Sequence, residues 1–202
     1  MSDSRSASIV EAYKAIRTEL CSAFPTKNDA LSIAFVSPAV GDGRSTTAIN
    51  TAVAFAQEGK KVLLIDADMR RASVHKKMKI SSLFGLAELL SDACDFDRAV
   101  VTVNPLLDVM TAGSPKGDSA ELFTSEAFKN LLDGLSFVYD VIIIDTPAAT
   151  LYPEARAIAA KADGAVLVLR QDVTLCKEID YTIATLEAEG VNLIGTVLNG
   201  VK

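Results

Sequence analysis

The length and charge of this chain exclude several classes of protein. Its 202 residues are enough for one domain with a substantial core, and half of them are hydrophobic. The 20 basic and 26 acidic residues give a net charge of −6, which argues against nucleic-acid binding and against a polybasic membrane-binding surface. The three cysteines are scattered, so neither a disulfide framework nor a zinc site is expected, and a reducing cytoplasm is favoured. No apolar segment approaches the roughly 20 residues that span a bilayer, so we expect no direct membrane insertion.

Short apolar runs alternate with helical patterns along the whole chain. This alternation is typical of α/β proteins in which helices cover both faces of a parallel sheet. It predicts one doubly wound, mainly parallel domain over residues 1–202, without a linker or a repeat. The predicted strands are 31–37, 61–66, 107–113, 139–147, 164–169 and 191–198. The predicted helices are 7–24, 46–57, 125–135, 154–161 and 175–189, with short helical pieces between 73 and 97.

The loop between the first strand and the next helix has the composition of a phosphate-binding loop. Gly41 and Gly43 allow the backbone to approach phosphate oxygens, and the helix that follows presents unpaired N–H groups at its positive end. Ser45 supplies a hydroxyl for Mg²⁺, and Arg44 occupies the position of the cation that contacts the terminal phosphates. We expect Asp42 and Thr46 to complete the nucleotide-binding loop.

Arg44 departs from the P-loop pattern, which has lysine at this position. A guanidinium keeps the positive charge, but it is a planar fork rather than a compact ammonium. We therefore expect nucleotide binding to survive better than turnover, which by analogy with the loss of one oxyanion donor could fall about 10² to 10³-fold.

Three acidic residues end apolar strands or follow them closely: Asp66, Asp68 and Asp145. Taken singly, each is more often a turn former or a helix cap. Together with a phosphate loop they predict a magnesium and base constellation for phosphoryl transfer. A dinucleotide fold is the alternative, because Gly41 and Gly43 open a helix and Asp66 ends the next strand about 20 residues later. Against it, a threonine holds the third glycine position, and Asp145 would have no role.

Three motifs in these segments resemble those of a known family. They are 37–47, 64–71 and 139–147, which resemble the Walker A, Walker A′ and Walker B motifs of bacterial tyrosine kinases of the capsular and exopolysaccharide family, relatives of the MinD/ParA ATPases. The resemblance implies that Ser45, Asp66 and Asp145 serve Mg²⁺, and that Asp66 is the base or a metal-linked acid. It also implies that Asp68 and Arg70 complete the A′ site.

Two further features resemble the same family. Asn199, at the end of the last predicted strand, looks like an adenine-side residue. Glu11, Lys14 and Arg17 on the first helix look like the family's E-x-x-R-x-x-R self-association motif, with Lys14 as a departure. On residue pattern alone, a solvated face with weak internal pairing is the favoured interpretation of these helix residues, and the resemblance is what favours an interface.

The resemblance implies an ATP-dependent protein-tyrosine autokinase that regulates capsular or exopolysaccharide synthesis. It implies ATP or ADP and Mg²⁺ as ligands and a homo-oligomer, such as a ring. It further implies a membrane-anchored polysaccharide chain-length regulator as activating partner, which would hold the cytoplasmic chain at the inner face of the membrane.

The four tyrosines do not form the cluster that the family uses as its autophosphorylation target. A catalytically weak pseudokinase, or an ATP/ADP-switched scaffold, is therefore the alternative. A MinD-like ATPase is disfavoured, because the loop lacks a second lysine near its start and the chain shows no C-terminal amphipathic membrane helix.

Overall fold

A computed structural model describes residues 2–24, 30–114 and 119–200, with side chains described from residue 7 onward. Within these ranges it contains seven strands and nine helices. The strands are β1 (Leu31–Ser37), β2 (Val62–Asp66), β3 (Val100–Asn104), β4 (Leu107–Met110), β5 (Val141–Ala148), β6 (Gly164–Arg170) and β7 (Leu193–Asn199). The helices are α1 (Ser2–Ala23), α2 (Arg44–Gln57), α3 (Val74–Met78), α4 (Leu86–Leu90), α5 (Phe96–Ala99), α6 (Ser119–Thr124), α7 (Glu126–Leu135), α8 (Glu154–Ala159) and α9 (Cys176–Ala188).

The strands form one sheet in the order β3-β4-β2-β5-β1-β6-β7. Every neighbouring pair is parallel except β3 and β4, so the prediction of a mainly parallel sheet is confirmed. The central strands β1, β2 and β5 are buried along their whole length, because they are apolar on both faces. Their carboxyl ends lie side by side at one edge of the sheet, where open α/β sheets bind ligands.

Helices cover both faces of the sheet, as the doubly wound prediction requires. On one face, Ile33 and Phe35 of β1 pack with Ala52 and Phe55 of α2 in a cluster that also includes Leu20 of α1. The other face carries two clusters, which contain the next residues along the same strands because successive strand side chains point to opposite faces. In the first of these clusters, strands β2 and β5 pack against α4, α6, α7 and α8. In the second, strands β1 and β6 pack against α8 and α9.

The structure also corrects several element boundaries. Strand β3 was missed, although its β-branched run Val100–Asn104 carried a strand signal; it pairs antiparallel with β4 and is largely exposed. Helix α6 was missed because it has only six residues and is separated from α7 by Ser125 alone. Helix α1 begins at Ser2 rather than at residue 7, and α2 begins at Arg44 rather than at residue 46. The turn predicted at 27–29 and most of the loop predicted over 114–119 lie outside the described residues.

Among residues 2–24, 30–114 and 119–200, no helix combines the length and the apolar character that a bilayer-crossing segment needs.

Candidate active site

The phosphate loop lies between the end of β1 and the start of α2. Gly41 and Gly43 have φ angles of 97° and 94°, in the left-handed region that favours glycine. A side chain at Gly43 would also force Asn199 to move, since an added Cβ would lie 2.4 Å from its Nδ2. The two glycines therefore have the conformation that the sequence predicted for this loop.

Asn199, at the end of β7, ties the last strand to this loop. Its Nδ2 donates to the carbonyl oxygen of Asp42 and to Oγ1 of Thr47, both at 3.0 Å. An adenine-side role for Asn199 stays a prediction, and its visible contacts order the loop.

Asp42 also orders the loop from within. It is almost completely buried, and its carboxylate accepts hydrogen bonds from the backbone N–H of Ala39 at 2.9 Å and from the hydroxyl of Thr174 at 2.8 Å. Because both carboxylate oxygens bond to the protein, we infer that Asp42 fixes the loop's shape and that the loop's N–H groups contact the ligand.

Arg44 makes three hydrogen bonds to protein oxygens, all at 2.9 Å. Its Nε donates to Oδ1 of Asp145, its Nη2 to Oδ2 of Asp68 and its Nη1 to the hydroxyl of Ser37. The side chains of Arg44 and Asp68 are each only 8% exposed, and that of Asp145 is fully buried. We call this arrangement of Arg44, Ser37, Asp68 and Asp145 the Arg44 clamp. A lysine could not replace it, because one ammonium lacks the planar fork that reaches three acceptors.

Asp66 and Asp145 are direct neighbours across the β2–β5 pairing. Burial, and next the negative charge of Asp145, raise the pKa of Asp66 to about 7. The Asp66 carboxylate accepts backbone N–H bonds from Asp68 at 3.2 Å, Ser73 at 3.1 Å and Val74 at 3.0 Å. Residues 67–73, which connect β2 to α3 and contain the end of the A′ motif, are called the A′ loop. Asp66 therefore anchors the A′ loop and the first turn of α3 to the end of β2.

Asp145 has one carboxylate oxygen in the Arg44 clamp and one without a partner. Its Oδ2 is buried and makes no hydrogen bond. Burial raises the pKa of Asp145, and the Arg44 guanidinium and the Ser45 hydroxyl oppose this rise. An orphaned carboxylate oxygen beside a serine hydroxyl fits Mg²⁺, which takes hard oxygen ligands and is usually bound through one or two carboxylates, waters and substrate phosphates. Across the described residues, no group of three or more acidic, histidine or cysteine side chains could hold a metal by itself.

Glu154 is a buried acid that sequence reasoning missed. It lies in the first turn of α8 and is 2% exposed, and its Oε1 accepts a hydrogen bond from Nε of Arg70 at 3.0 Å. Arg70 also lies over the ring of Tyr152, at 5.5 Å from the ring centroid. This pair links the A′ loop to the connection that follows β5. An acid in the first turn of a helix is common, so the sequence alone gave no signal of this role.

A cavity of about 360 Å³ opens above these groups. It brings together most of the predicted site residues, including the loop, Asp68 and the start of α2, whereas Asp66, Asp145, Arg70 and Asn199 do not line it. Its lining is Ser37, Val40, Gly41, Asp42, Gly43, Arg44, Ser45, Thr46, Asp68, Arg71, Ser73 and Lys77. Neither Arg71 nor Lys77 had been predicted as a site residue.

The three residues predicted to mediate self-association differ in their exposure and in their partners. Glu11 and Lys14 are exposed and pair with each other at 2.7 Å, as expected for a solvated helix face. Arg17 has a side chain that is only 17% exposed and pairs with Glu58 at the end of α2 at 2.6 Å. In this chain Arg17 therefore fastens α1 to α2, and only Glu11 and Lys14 are available on the surface.

Comparisons with known proteins show which family this chain resembles in sequence and fold. The AAA domain family matches residues 31–173. The tyrosine-protein kinase YwqD of Bacillus subtilis (strain 168) is 36% identical over 193 residues, which cover 95% of this chain and 81% of that protein. The tyrosine-protein kinase Etk of Escherichia coli (strain K12) is 32% identical over 201 residues, 98% of this chain but only 27% of that protein. A Klebsiella pneumoniae relative, 32% identical over 194 residues that cover 95% of this chain and 27% of that protein, is named for its place in the cps region.

Solved structures show the same relationship. The kinase domain of Escherichia coli tyrosine kinase ETK has a TM-score of 0.89 and 30% identity, covering 95% of this chain and 75% of that one. The septum site-determining protein MinD from Pyrococcus horikoshii, with a TM-score of 0.71 and 22% identity over 84% of this chain and 70% of that one, shares the fold alone. The chain spans about a quarter of the length of several curated relatives but most of YwqD. Its fold, its phosphate loop and these similarities together show that the chain belongs to the bacterial tyrosine-protein kinase family, within the AAA domain family.

Proposed function

We propose that this chain is the ATP-binding catalytic domain of a protein-tyrosine autokinase that acts in capsular or exopolysaccharide synthesis. The observation that carries the proposal is the meeting of the phosphate loop with Asp68 and Asp145 where β1, β2 and β5 end. Phosphoryl transfer needs this combination, because the enzyme must position a nucleotide and compensate its charge rather than supply covalent chemistry.

In this proposal a tyrosine hydroxyl attacks the γ-phosphoryl group in line, the bond to the β-phosphate oxygen breaks, and ADP leaves. The family resemblance implied Asp66 as the acceptor of the hydroxyl proton, but its carboxylate is fully buried, accepts three backbone N–H bonds and does not line the cavity. Asp68 faces the cavity, where a hydroxyl would enter. Ser45 and the unpartnered oxygen of Asp145 would hold Mg²⁺, which neutralises phosphate charge during transfer.

A membrane-anchored polysaccharide chain-length regulator is the proposed activating partner, at the inner face of the cell membrane. Self-association into a ring would use Glu11 and Lys14 of α1, which are exposed and carry opposite charges. Lys14→Glu should then reduce the mass of the assembly in light scattering, whereas Lys177→Glu on α9 makes the same charge change elsewhere and should not. An unchanged mass for Lys14→Glu would contradict this use of α1.

The Arg44 clamp favours a second candidate function, an ATP/ADP-switched scaffold with negligible tyrosine transfer. Arg44 stands where a P-loop has its phosphate-contacting lysine, yet its guanidinium bonds to Asp68, Asp145 and Ser37. A residue held in this way stabilises the site but cannot follow charge onto the leaving oxygen without leaving its partners.

One experiment separates the two functions. The chain is incubated with Mg-ATP and either poly(Glu-Tyr) or the regulator's cytoplasmic tail, and phosphotyrosine is mapped by mass spectrometry. Arg44→Lys and Asp145→Asn are tested in parallel, with ATP binding measured by calorimetry on the same samples. Phosphotyrosine from the native chain that is lost in Asp145→Asn supports the kinase. ATP binding without phosphotyrosine in either the native chain or Arg44→Lys refutes the kinase and leaves the switch.

A further inference from the structure

Arg44 is held away from the phosphate role that its position in the loop predicts. Three of its nitrogens donate to protein oxygens at 2.9 Å, and two of these acceptors are carboxylates. Moving the guanidinium onto a phosphate would leave Asp68 and the buried Asp145 without their cation, which is costly in a site with so little exposure. The terminal phosphates therefore need another cation. Within the part of the chain that the structure describes, two others line the cavity, Arg71 and Lys77, and it is Lys77 that contacts the first turn of α2.

Lys77, on α3, lines the same cavity as the phosphate loop. Its Nζ lies 3.3 Å from Oγ1 of Thr46, in the first turn of α2, where the helix presents its free N–H groups. Among the described residues, no carboxylate forms an ion pair with the Lys77 ammonium. A solvated ammonium beside a helix amino terminus is positioned to contact an anion.

The backbone that carries Lys77 is firmly held. Helix α3 begins at Val74, which is fully buried, and the N–H groups of Ser73 and Val74 both donate to Oδ2 of Asp66. The N–H of Lys77 in turn donates to the carbonyl of Ser73 at 3.0 Å. Asp66 thus holds the backbone that carries Lys77 close to the strand ends, so only the lysine side chain remains to be ordered when a ligand binds.

We propose that Lys77 supplies the ammonium that contacts the β- and γ-phosphates of the nucleotide, while Arg44 stays in the clamp. The role of the P-loop lysine is thereby divided between two residues: Arg44 compensates the acids and Lys77 compensates the phosphates. This inference rests on the proposed nucleotide site and identifies a residue of that site.

If Lys77 contacts the phosphates, replacing it should weaken the binding of ligands that carry phosphates and leave the binding of other ligands unchanged. Removing one charge-assisted contact to a phosphate weakens binding by about 10-fold or more, whereas a ligand without phosphates loses nothing. The matched control is Lys76, the neighbouring exposed lysine of α3, which does not line the cavity. The same charge is removed from the same helix at both positions, so a general field effect would appear in both variants.

The test measures ATP binding by calorimetry with Mg²⁺ present, and adenosine binding by its competition against a fluorescent ADP analogue. Lys77→Gln should raise the Kd for ATP about 10-fold, leave the adenosine constant unchanged and leave the melting temperature near that of the native chain. Lys77→Arg should restore most of the ATP affinity, and Lys76→Gln should change ATP binding less than about twofold.

The possible results distinguish a failure of the proposed Lys77 contact from a failure of the proposed nucleotide site. If the native chain binds no ATP, the proposed nucleotide site itself is wrong. If the native chain binds ATP and Lys77→Gln binds it equally well, Lys77 has no phosphate role and the inference is overturned. It is also overturned if Lys77→Gln weakens adenosine as much as ATP, or if Lys76→Gln weakens ATP as much as Lys77→Gln does.

Discussion

The Arg44 clamp predicts that Arg44 is among the most costly residues of this chain to replace. Arg44→Gln would leave Asp145, fully buried, and Asp68, with a side chain 8% exposed, without their cation. Removing one partner of a buried ion pair typically costs about 3–5 kcal/mol of the free energy of unfolding. Burial raises the pKa of Asp145, so without Arg44 this carboxyl takes up a proton more readily, which relieves part of the cost, and we expect a loss of about 3 kcal/mol.

For a chain of this size, a loss of about 3 kcal/mol lowers the melting temperature by roughly 6–12 °C. The measurement is urea unfolding followed by far-ultraviolet circular dichroism, since the chain has no tryptophan. A chelator must be present, because a divalent cation could replace the missing positive charge. Arg44→Lys should fall between the native chain and Arg44→Gln, since one ammonium can pair with one acid but lacks the three-way fork.

Two controls make the prediction sharp. Arg156→Gln removes an arginine whose ion pair with Glu189, at 3.5 Å, is partly exposed, and it should cost less than about 1 kcal/mol. The double variant Arg44→Gln/Asp68→Asn should lose less free energy of unfolding than the two single variants lose together, because the two residues interact. The clamp is refuted if Arg44→Gln costs no more than Arg156→Gln, or if the double-mutant cycle gives no coupling.

Two other predictions concern the loop and the A′ segment. Gly43→Ala should lower the free energy of unfolding by about 1–3 kcal/mol and should also weaken ATP binding, because the added Cβ would meet Asn199. The control is Gly59→Ala: Gly59 has a similar φ of 89°, but the space around it is open. This variant should lose only the backbone strain energy of about 1 kcal/mol. Equal losses in urea unfolding would contradict the close contact. Glu154→Gln should cost about 1–3 kcal/mol, since it removes the buried charge that Arg70 bonds to; unchanged urea unfolding would show that this pair does not hold the A′ loop.

The fold could be predicted from sequence because its signals are local. Strand β2, which ends at Asp66, and strand β5, which contains Asp145, carry apolar runs, and such runs are buried on both faces. Strand β3 was missed although its β-branched run is a strand signal; it lies at an edge of the sheet and is largely exposed. The loop conformation followed from Gly41 and Gly43, since few other residues adopt their φ angles.

The site could be predicted only as a set of positions. Sequence reasoning placed Arg44, Asp68 and Asp145 together, but it could not tell that the guanidinium bonds to both acids rather than facing the ligand. That choice depends on side-chain directions and burial, which the order of residues does not specify. Lys77 was missed for the same reason: it lies 31 residues from Thr46 in sequence and meets it only through the anchoring of α3.

Nucleotide binding and phosphoryl transfer depend on different parts of this site. Binding depends on the loop N–H groups, on the shape that Asp42 and Asn199 give the loop, and on the proposed contact with Lys77, and none of these needs Arg44 to move. Transfer additionally needs cationic charge that can follow the leaving oxygen, which a guanidinium bonded to two carboxylates supplies poorly. Arg44 can therefore be compatible with tight ATP binding and still limit catalysis, so the decisive quantity is phosphotyrosine formed per bound ATP, compared between the native chain and Arg44→Lys.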